Sequence, residues 1–257
     1  MAKITTTGKF LNVLRGMQLH KAYKKIEGHL PDWLHTRLKS VIGENTFVPL
    51  VATEELQPKY QMACDFLVEK IGKNQIGDYL EFGVSHGSSM SIMHQVLKKS
   101  NLDQVRLFGF DSFEGMPEIA ANEDDGLWRP GQFASSLEAT KDFMSRKGVD
   151  WSRTFLTKGW FSNTLTPDFI EKHKIKKASL IMVDCDIYTS SVETLNFCKP
   201  LIKDTSIVIF DDWIEKEGFG EYRAWKEFLQ QNPHFKATEF GTYKPTGKLF
   251  QIVNTSK

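Results

Sequence analysis

Five short apolar segments, separated by stretches long enough for a helix, constrain the fold of this chain most. They are YLEFGV, RLFGFD, TFLTKG, SLIMVDCD and SIVIFDD, between residues 79 and 212. Strand-like runs that alternate with helix-length connections are typical of a parallel sheet with helices on both faces. The pattern therefore predicts an α/β fold with a doubly wound, mostly parallel, Rossmann-like sheet.

Two further apolar runs near the C-terminus, FKATEF and KLFQIV, flank the segment GTYKPTG. Its glycines and proline indicate a turn or short loop, so the two runs are expected to be antiparallel strands at one edge of a seven-stranded sheet. Among the connections, Thr166 followed by Pro167 predicts a helix start. Ser190 with Glu193 predicts a capping box at the start of another helix.

The chain is expected to comprise an N-terminal helical extension, residues 1–54, and an α/β domain, residues 55–257. From Gly8 to about Ile42, apolar residues recur at helical spacing, with basic residues between them. Short amphipathic helices in globular chains usually face protein. We therefore expect a cap over the core or a subunit contact in a homodimer, rather than membrane-surface binding.

The net charge limits the kinds of partner that are expected, and the cysteine content indicates the cellular compartment. The 33 basic and 32 acidic side chains leave a net charge of +1, which gives no attraction for nucleic acid or for anionic lipid, so small or neutral partners are expected. Three scattered cysteines without CxxC spacing indicate neither a disulfide framework nor a zinc site, which fits the cytoplasm. No segment has the length and character of a signal peptide or a membrane span.

Four carboxylates follow two neighbouring strand candidates. Asp184 and Asp186 end one apolar run, and Asp211 and Asp212 end the next. Carboxylates that lie close together in a cleft cannot all stay ionised without a proton or a cation, and oxygen-only ligands select a hard ion such as Mg²⁺. The sequence therefore predicts a metal site.

The spacing of the four carboxylates suggests different roles. Residues two apart in a strand point to the same side, so Asp184 and Asp186 are expected to face one cleft, with Cys185 facing away. Asp211 and Asp212 can converge only where the strand breaks into a turn. We expect Asp184, Asp211 and Asp212 to bind the metal and Asp186 to accept a proton. The alternative is that one or two of them are N-caps of the following helices.

The first strand ends in the glycine-containing turn EFGVSHGSS, which opens a helix near Ser88. The dinucleotide fingerprint GxGxxG is absent, and so is a GxxxxGK[ST] phosphate loop. An acidic residue shortly before the first glycine suits a ligand with an ammonium and a sulfonium group, which points to S-adenosylmethionine. The alternative is a purely structural strand-to-helix turn.

The ends of the second and third strands extend the expected cofactor site. Asp111 can accept hydrogen bonds from ribose hydroxyls, or instead cap its own turn through Ser112 or Phe113. Trp160 and Phe161 can form a wall for adenine, or simply pack in the core. The residues expected to contact the cofactor are Glu81, Gly83, Val84, Ser85, Gly87, Ser88, Ser89, Asp111, Ser112, Gly159, Trp160, Phe161 and Asp184.

Taken in order, the motifs EFGVSHG, FDSFEGMPE, KGWF, VDCDIY and IFDDW resemble the macrocin O-methyltransferase family, over about residues 55 to 230. The resemblance implies a class I methyltransferase fold, S-adenosylmethionine as the methyl donor, an essential Mg²⁺, and a hydroxyl acceptor on a sugar or phenolic natural product. The chain departs from the family pattern at Ser88, where a second glycine is common, and at His86, where an aromatic residue or arginine is frequent.

By position, the resemblance assigns three metal ligands, Asp184, Asp211 and Asp212, and the general base, Asp186. Glu81, Gly83 and Asp111 fall on cofactor positions. In the mechanism that this implies, Asp186 removes the proton of a hydroxyl whose pKa a divalent ion has lowered, and the oxygen attacks the methyl group.

Some alternatives remain open. His86 is either an assisting base or an ordinary residue at a helix start. The acidic stretch 118–134, which contains Trp128, Arg129 and Phe133, forms either a lid over the acceptor or an ordinary surface loop. The chain as a whole is either an enzyme or a cofactor-binding scaffold without catalysis, while the missing GxGxxG disfavours an NAD-dependent oxidoreductase.

Overall fold

The structure is a computed structural model that describes residues 52–256. The helices expected between Gly8 and Ile42 lie outside the described residues, so the N-terminal extension stays a prediction. The first described helix begins at Thr53, next to the expected boundary at residue 54.

Within residues 52–256, seven strands form one sheet, in the order β3-β2-β1-β4-β5-β7-β6. The strands are β1 Asp78–Phe82, β2 Leu107–Asp111, β3 Thr154–Lys158, β4 Ala178–Val183, β5 Thr205–Phe210, β6 Phe235–Lys244 and β7 Gly247–Asn254. The first five are parallel, and β7 is antiparallel to both β5 and β6. The predicted doubly wound, mostly parallel sheet is confirmed.

The described part has seven α-helices, of which the first precedes β1 and the others lie between strands: α1 Thr53–Ile71, α2 Ser88–Lys99, α3 Leu137–Arg146, α4 Phe161–Thr164, α5 Pro167–His173, α6 Tyr188–Cys198 and α7 Gly220–Gln231. Within residues 52–256, no helix combines the length and apolar character needed to cross a bilayer. The predicted start of α5 is confirmed, because Thr166 accepts a hydrogen bond from Phe169 N and Pro167 is the first helical residue.

One local prediction was wrong. The capping box of Ser190 and Glu193 does not exist, because α6 already begins at Tyr188; the carboxylate of Glu123 instead accepts hydrogen bonds from the N–H and the hydroxyl of Thr189.

The turn expected in GTYKPTG is present, and it joins two antiparallel strands at one edge of the sheet, as predicted. It is shorter than the segment, because β6 and β7 pair up to Lys244 and Gly247, which leaves Pro245 and Thr246 for the turn.

Alternate residues of the central strands belong to two apolar clusters on opposite faces of the sheet. Tyr79 packs with residues of α1 and α2, whereas Leu80 and Phe82 pack with residues of α5, α6 and α7. The second face is rich in aromatic rings, and Phe82 stacks on Phe110 with 5.2 Å between ring centroids. Burial on both faces explains why these strands read as continuous apolar runs.

The sheet reverses its order between β1 and β4, which positions ligands in doubly wound folds. At this point, the turn after β1 passes very close to the end of β4. A Cβ atom added to Gly83, whose φ is +90°, would lie 1.6 Å from the carbonyl oxygen of Asp184. Gly83 therefore allows the two strand ends to approach each other.

We predict that Gly83→Ala destabilises the fold by at least about 3 kcal/mol, because the methyl group collides with backbone that cannot move away. Gly148→Ala is the matched control: its φ is +76°, but nothing lies within 4 Å of the added carbon. The control should lose only the 1–2 kcal/mol that is roughly typical of a left-handed non-glycine residue. Urea denaturation measures both values, and equal losses would contradict the close approach.

Candidate active site

The four aspartates meet at the adjoining ends of β4 and β5. The register pairs Val183 with Phe210, the last residue of each strand, so the residues that follow lie side by side. One carboxylate oxygen from each of Asp184, Asp211 and Asp212 lies within 4.8 Å of the others. The structure thus brings together the three residues that the sequence proposed as metal ligands.

Two elements hold Asp211 and Asp212 in the same cleft although they are consecutive. The strand ends at Phe210, and the N–H of Asp212 donates to Glu221 Oε2 at 3.0 Å, at the start of α7. The carboxylate of Asp211 accepts hydrogen bonds from the Tyr243 hydroxyl and from Lys244 Nζ, the latter at 2.5 Å. The convergence therefore depends on a turn, as expected, and on partners from α7 and β6.

Asp186 reaches the cluster by a route that differs from the one expected. Strand β4 ends at Val183, and Asp186 has a left-handed φ of +62°, so strand alternation does not orient it. Its carboxyl group hydrogen bonds with that of Asp212. Cys185 does face away, with its Sγ 3.7 Å from Ser191 Oγ of α6.

The N-cap alternative for these aspartates is excluded. Helix α6 follows Ile187 and α7 follows Phe219, and neither cap residue makes a side-chain bond to its helix. At the start of α7, the N–H of Gly220, which has no acceptor within the helix, donates to Asp124 Oδ1 at 2.8 Å.

Burial and mutual repulsion raise the pKa values of several carboxyl groups in the site. Burial and then the neighbouring Asp211 and Asp212 raise the pKa of Asp184 well above its usual value. Burial and the Asp212 carboxylate do the same to the pKa of Asp186 and of Glu221. Glu221 is fully buried, and its Oε1 has no hydrogen-bond partner.

The donor set fits a hard divalent cation. Three carboxylate oxygens within 4.8 Å of one another can surround one ion at the 2.0–2.6 Å that is roughly typical of Mg²⁺ or Ca²⁺. After burial, the neighbouring carboxylates contribute to the raised pKa values of Asp184 and Asp186, and a bound cation would oppose this effect. A cation is therefore the natural complement of this cleft.

Asp111 lies beside the turn that follows β1 and holds it in place. Its Oδ2 accepts the N–H of Ser85 at 2.7 Å, and its Oδ1 accepts the N–H of Phe113 at 2.5 Å. The expected turn-capping alternative is therefore present. Each carboxylate oxygen has a second lone pair, so these bonds leave capacity for a ligand hydroxyl.

The turn between β1 and α2 is fixed from several sides. The hydroxyl of Thr140 on α3 donates to the carbonyl of Ser85 at 2.6 Å, and Ser85 Oγ donates to the carbonyl of Phe133 at 3.2 Å. Of the residues expected to contact the cofactor here, Val84, Gly87 and Ser89 are buried, and Gly83, Ser85 and Ser88 are half-buried. His86 lies next to Ser85, with Nδ1 3.0 Å from its hydroxyl.

Glu81 is fully buried beneath this turn. Its Oε1 accepts the Ser89 hydroxyl at 2.6 Å, and its Oε2 accepts the Tyr79 hydroxyl, which also contacts the hydroxyl of Tyr60. The structure thus places Glu81 in a buried polar network that connects β1 with α1 and α2. Its direct contact with a cofactor stays a prediction.

The remaining expected cofactor residues follow β2 and β3. The Ser112 hydroxyl donates to the carbonyl of Gly115, and the N–H of Gly159 donates to the carbonyl of Asp111. Trp160 is 36% exposed, whereas the ring of Phe161 packs edge-on against Phe82 in the core. Trp160 is therefore the aromatic residue of this pair that is accessible to a ligand.

The acidic stretch from residue 118 is attached to the edge of the site by consecutive carboxylates. Glu123 accepts hydrogen bonds from Thr189 at the start of α6, and Asp124 accepts the N–H of Gly220 at the start of α7. The indole N–H of Trp128 donates to Asp124 Oδ2 at 3.3 Å. These contacts hold the stretch next to the loops that carry the four aspartates.

Sequence reasoning missed Glu221, Tyr243, Lys244, Glu123 and Asp124. An acidic residue just after Gly220 was a readable signal for Glu221, because acidic residues favour the first turn of a helix. The other four gave no local signal, since only the tertiary fold brings them to the site.

The sheet order, with the carboxylates at the ends of β4 and β5, defines a class I methyltransferase fold. Residues 59–237 match the family described as macrocin-O-methyltransferase (TylF), and the chain belongs to this family.

Two curated relatives share part of this sequence. Demethyldecarbamoylnovobiocin O-methyltransferase of Streptomyces niveus is 28% identical over 165 residues, which are 60% of this chain and 61% of that protein. The 8-demethyl-8-(2,3-dimethoxy-alpha-L-rhamnosyl)-tetracenomycin-C 4'-O-methyltransferase of Streptomyces olivaceus is 31% identical over 143 residues, 53% of each protein. The chain thus spans about half to three fifths of the length of these relatives.

Solved structures share the fold. The O-methyltransferase NovP has a TM-score of 0.66 and 21% identity, over 81% of this chain and 85% of its own. CalS11, a calicheamicin methyltransferase, has a TM-score of 0.61 and 19% identity, over 96% and 93%. TomG from Streptomyces achromogenes, solved in complex with SAM, has a TM-score of 0.53 and 12% identity, over 95% and 90%.

We predict that Glu81 makes the stability of the protein fall as the pH rises. Burial raises its pKa from 4.5 to about 7, although the hydrogen bonds from Ser89 and Tyr79 act in the opposite direction. The folded state therefore keeps a proton that the unfolded state loses near pH 4.5, so this stabilisation is complete below pH 4.5 and is lost as the pH passes about 7.

Chemical denaturation of the wild type and of Glu81→Gln between pH 4.5 and 8 tests this. One pKa unit corresponds to about 1.4 kcal/mol. As the pH rises, the unfolding free energy of the wild type should therefore fall by roughly 3 kcal/mol relative to that of Glu81→Gln. Glu138→Gln, at an exposed position of α3, controls for the loss of a carboxylate. A constant difference between wild type and Glu81→Gln would refute the assignment.

Proposed function

We propose that this protein is an S-adenosylmethionine- and Mg²⁺-dependent O-methyltransferase that acts on a hydroxyl of a sugar or phenolic natural product. The observation that carries the proposal is the cluster of Asp184, Asp211 and Asp212, which lies beside Asp186 and next to the switch point of a methyltransferase sheet. Membership of the macrocin-O-methyltransferase family supports methyl transfer to oxygen.

The names of the relatives support the acceptor class. One acts on demethyldecarbamoylnovobiocin, and another on the 4' oxygen of a rhamnosyl tetracenomycin. The abundance of carboxylates around the site favours an uncharged acceptor over an anionic one, because an anion would add to the repulsion. We therefore propose a neutral small molecule as the partner, and neither nucleic acid nor a membrane.

S-adenosylmethionine supplies the methyl group, and a divalent cation held by the three aspartates would lower the pKa of the acceptor hydroxyl. Asp186 is placed to remove the hydroxyl proton, because its carboxyl group contacts Asp212 and it is 8% exposed at the cluster. The turn at residues 83–87, which Asp111 and Thr140 hold in place, would position the donor next to this point.

The acidic stretch from residue 118 is proposed to form one wall of the acceptor pocket. Its anchors at the starts of α6 and α7 hold Trp128 near the aspartates. Leu127 and Ile119, in the same stretch, are 49% and 45% exposed, so their apolar side chains are accessible to an apolar acceptor. A cytoplasmic location and a homodimer stay part of the proposal.

We predict that Asp186→Asn lowers turnover by about 10²- to 10⁴-fold, because the amide keeps the shape but cannot take a proton. Binding of S-adenosylhomocysteine, measured by calorimetry, should match the wild type. Turnover is measured as methyl transfer to an acceptor found in a panel of sugar and phenolic natural products. A variant with near-normal turnover would exclude Asp186 as the base.

We predict that wild-type turnover stops in EDTA and returns with added Mg²⁺. Asp212→Asn should raise the Mg²⁺ concentration for half-activation by more than about 100-fold. Mutation of a residue that only contacts a metal ligand typically costs about 10- to 100-fold, and this substitution removes a ligand itself. Asp204→Asn is the control, since Asp204 pairs with Lys177 away from the cluster. Full turnover in EDTA would rule out the metal, and no turnover with any acceptor would favour the scaffold alternative.

A further inference from the structure

A lysine from the antiparallel edge of the sheet reaches into the carboxylate cluster. Lys244 is the last residue of β6, and its Nζ lies 2.5 Å from Asp211 Oδ2. The side chains are 22% and 7% exposed, so water screens this ion pair only weakly. None of the site motifs in the sequence includes this residue.

An irregularity in β6 makes this contact possible. Consecutive residues of a regular strand point to opposite faces, yet Tyr243 and Lys244 both bond to the carboxylate of Asp211. The register between β6 and β7 shifts between Thr242 and Lys244. Such irregularities redirect side chains, and they are frequent next to active sites.

Lys244 interacts electrostatically with the whole carboxylate cluster and not with Asp211 alone. Burial alone would lower its pKa, but Asp211 and Asp212 outweigh this and raise the pKa above the usual value of a lysine, with a further contribution from Asp184. All three are proposed metal ligands. The ammonium group therefore lies within the field that would also attract a divalent cation.

We propose that Lys244 is the resident counter-cation of the cluster, which holds Asp211 in the metal-free protein and weakens the binding of a divalent cation. The inference rests on the proposed function, because it assumes that the aspartates bind such a cation. The ammonium group occupies one lone pair of Asp211 and repels a second positive charge placed next to it. The site would then bind the metal reversibly. In the metal-free protein, the ammonium group of Lys244 would offset part of the negative charge of the cluster.

The test compares Lys244→Met with Lys248→Met. Lys248 also pairs with carboxylates, those of Glu215 and Glu239, and these lie outside the cluster. Melting temperature in EDTA and the dissociation constant for Mg²⁺, by calorimetry without substrate, are measured for both variants and the wild type. Neither measurement requires turnover.

For Lys244→Met we expect a lower melting temperature in EDTA, because the cluster loses its cation. We also expect Mg²⁺ binding tighter by on the order of tenfold, because the repulsion between the ammonium group and the ion is gone. Lys248→Met should bind Mg²⁺ as the wild type does. Lys244→Arg, which keeps the charge, should have wild-type affinity for Mg²⁺. Lys244→Gln, a second uncharged variant, should bind Mg²⁺ as tightly as Lys244→Met, and it replaces the methionine variant if that variant folds poorly.

Two negative results have different meanings. If the wild type binds Mg²⁺ but Lys244→Met and Lys244→Gln bind it equally well or more weakly, the counter-cation role is wrong and the proposed function stands. If the wild type itself binds no divalent cation, the metal part of the proposed function fails, and the inference about Lys244 fails with it.

Discussion

The mutual repulsion of carboxylates at the ends of β4 and β5 is the constraint around which this site is built. Asp184, Asp211 and Asp212 offer oxygens within 4.8 Å of one another, and Asp186 hydrogen bonds to the same group. In the described structure, the ammonium group of Lys244 from β6 offsets part of this charge. A divalent cation would offset more of it.

The scaffold around the cluster is rigid where the proposed chemistry needs precision. Gly83 lets the turn after β1 approach the backbone of Asp184, and Asp111 ties the same turn to β2. Glu221 fixes the backbone of Asp212 from α7. Because these contacts come from neighbouring strand ends and helix starts, the proposed positions of the donor and of the base depend on the sheet and not on long side chains.

Much of the fold could be predicted because its strands are buried on both faces and therefore read as apolar runs. The meeting of Asp184 with Asp211 followed from the same reasoning, since parallel neighbours end at one edge. What the sequence could not show depends on tertiary contacts. The left-handed turn at Asp186 and the shifted register before Lys244 have no local signature, and the predicted cap at Ser190 failed because Glu123, distant in sequence, binds the helix start.

Anomalous diffraction from crystals soaked with Mn²⁺, which has similar ligand preferences to Mg²⁺, shows whether the aspartate cluster binds a divalent cation. We expect one strong peak at bonding distance from carboxylate oxygens of Asp184, Asp211 and Asp212, with the ammonium group of Lys244 displaced from Asp211 Oδ2. If the crystals show no peak at the cluster and an unchanged Lys244–Asp211 pair at high Mn²⁺ concentration, the cluster is not a metal site.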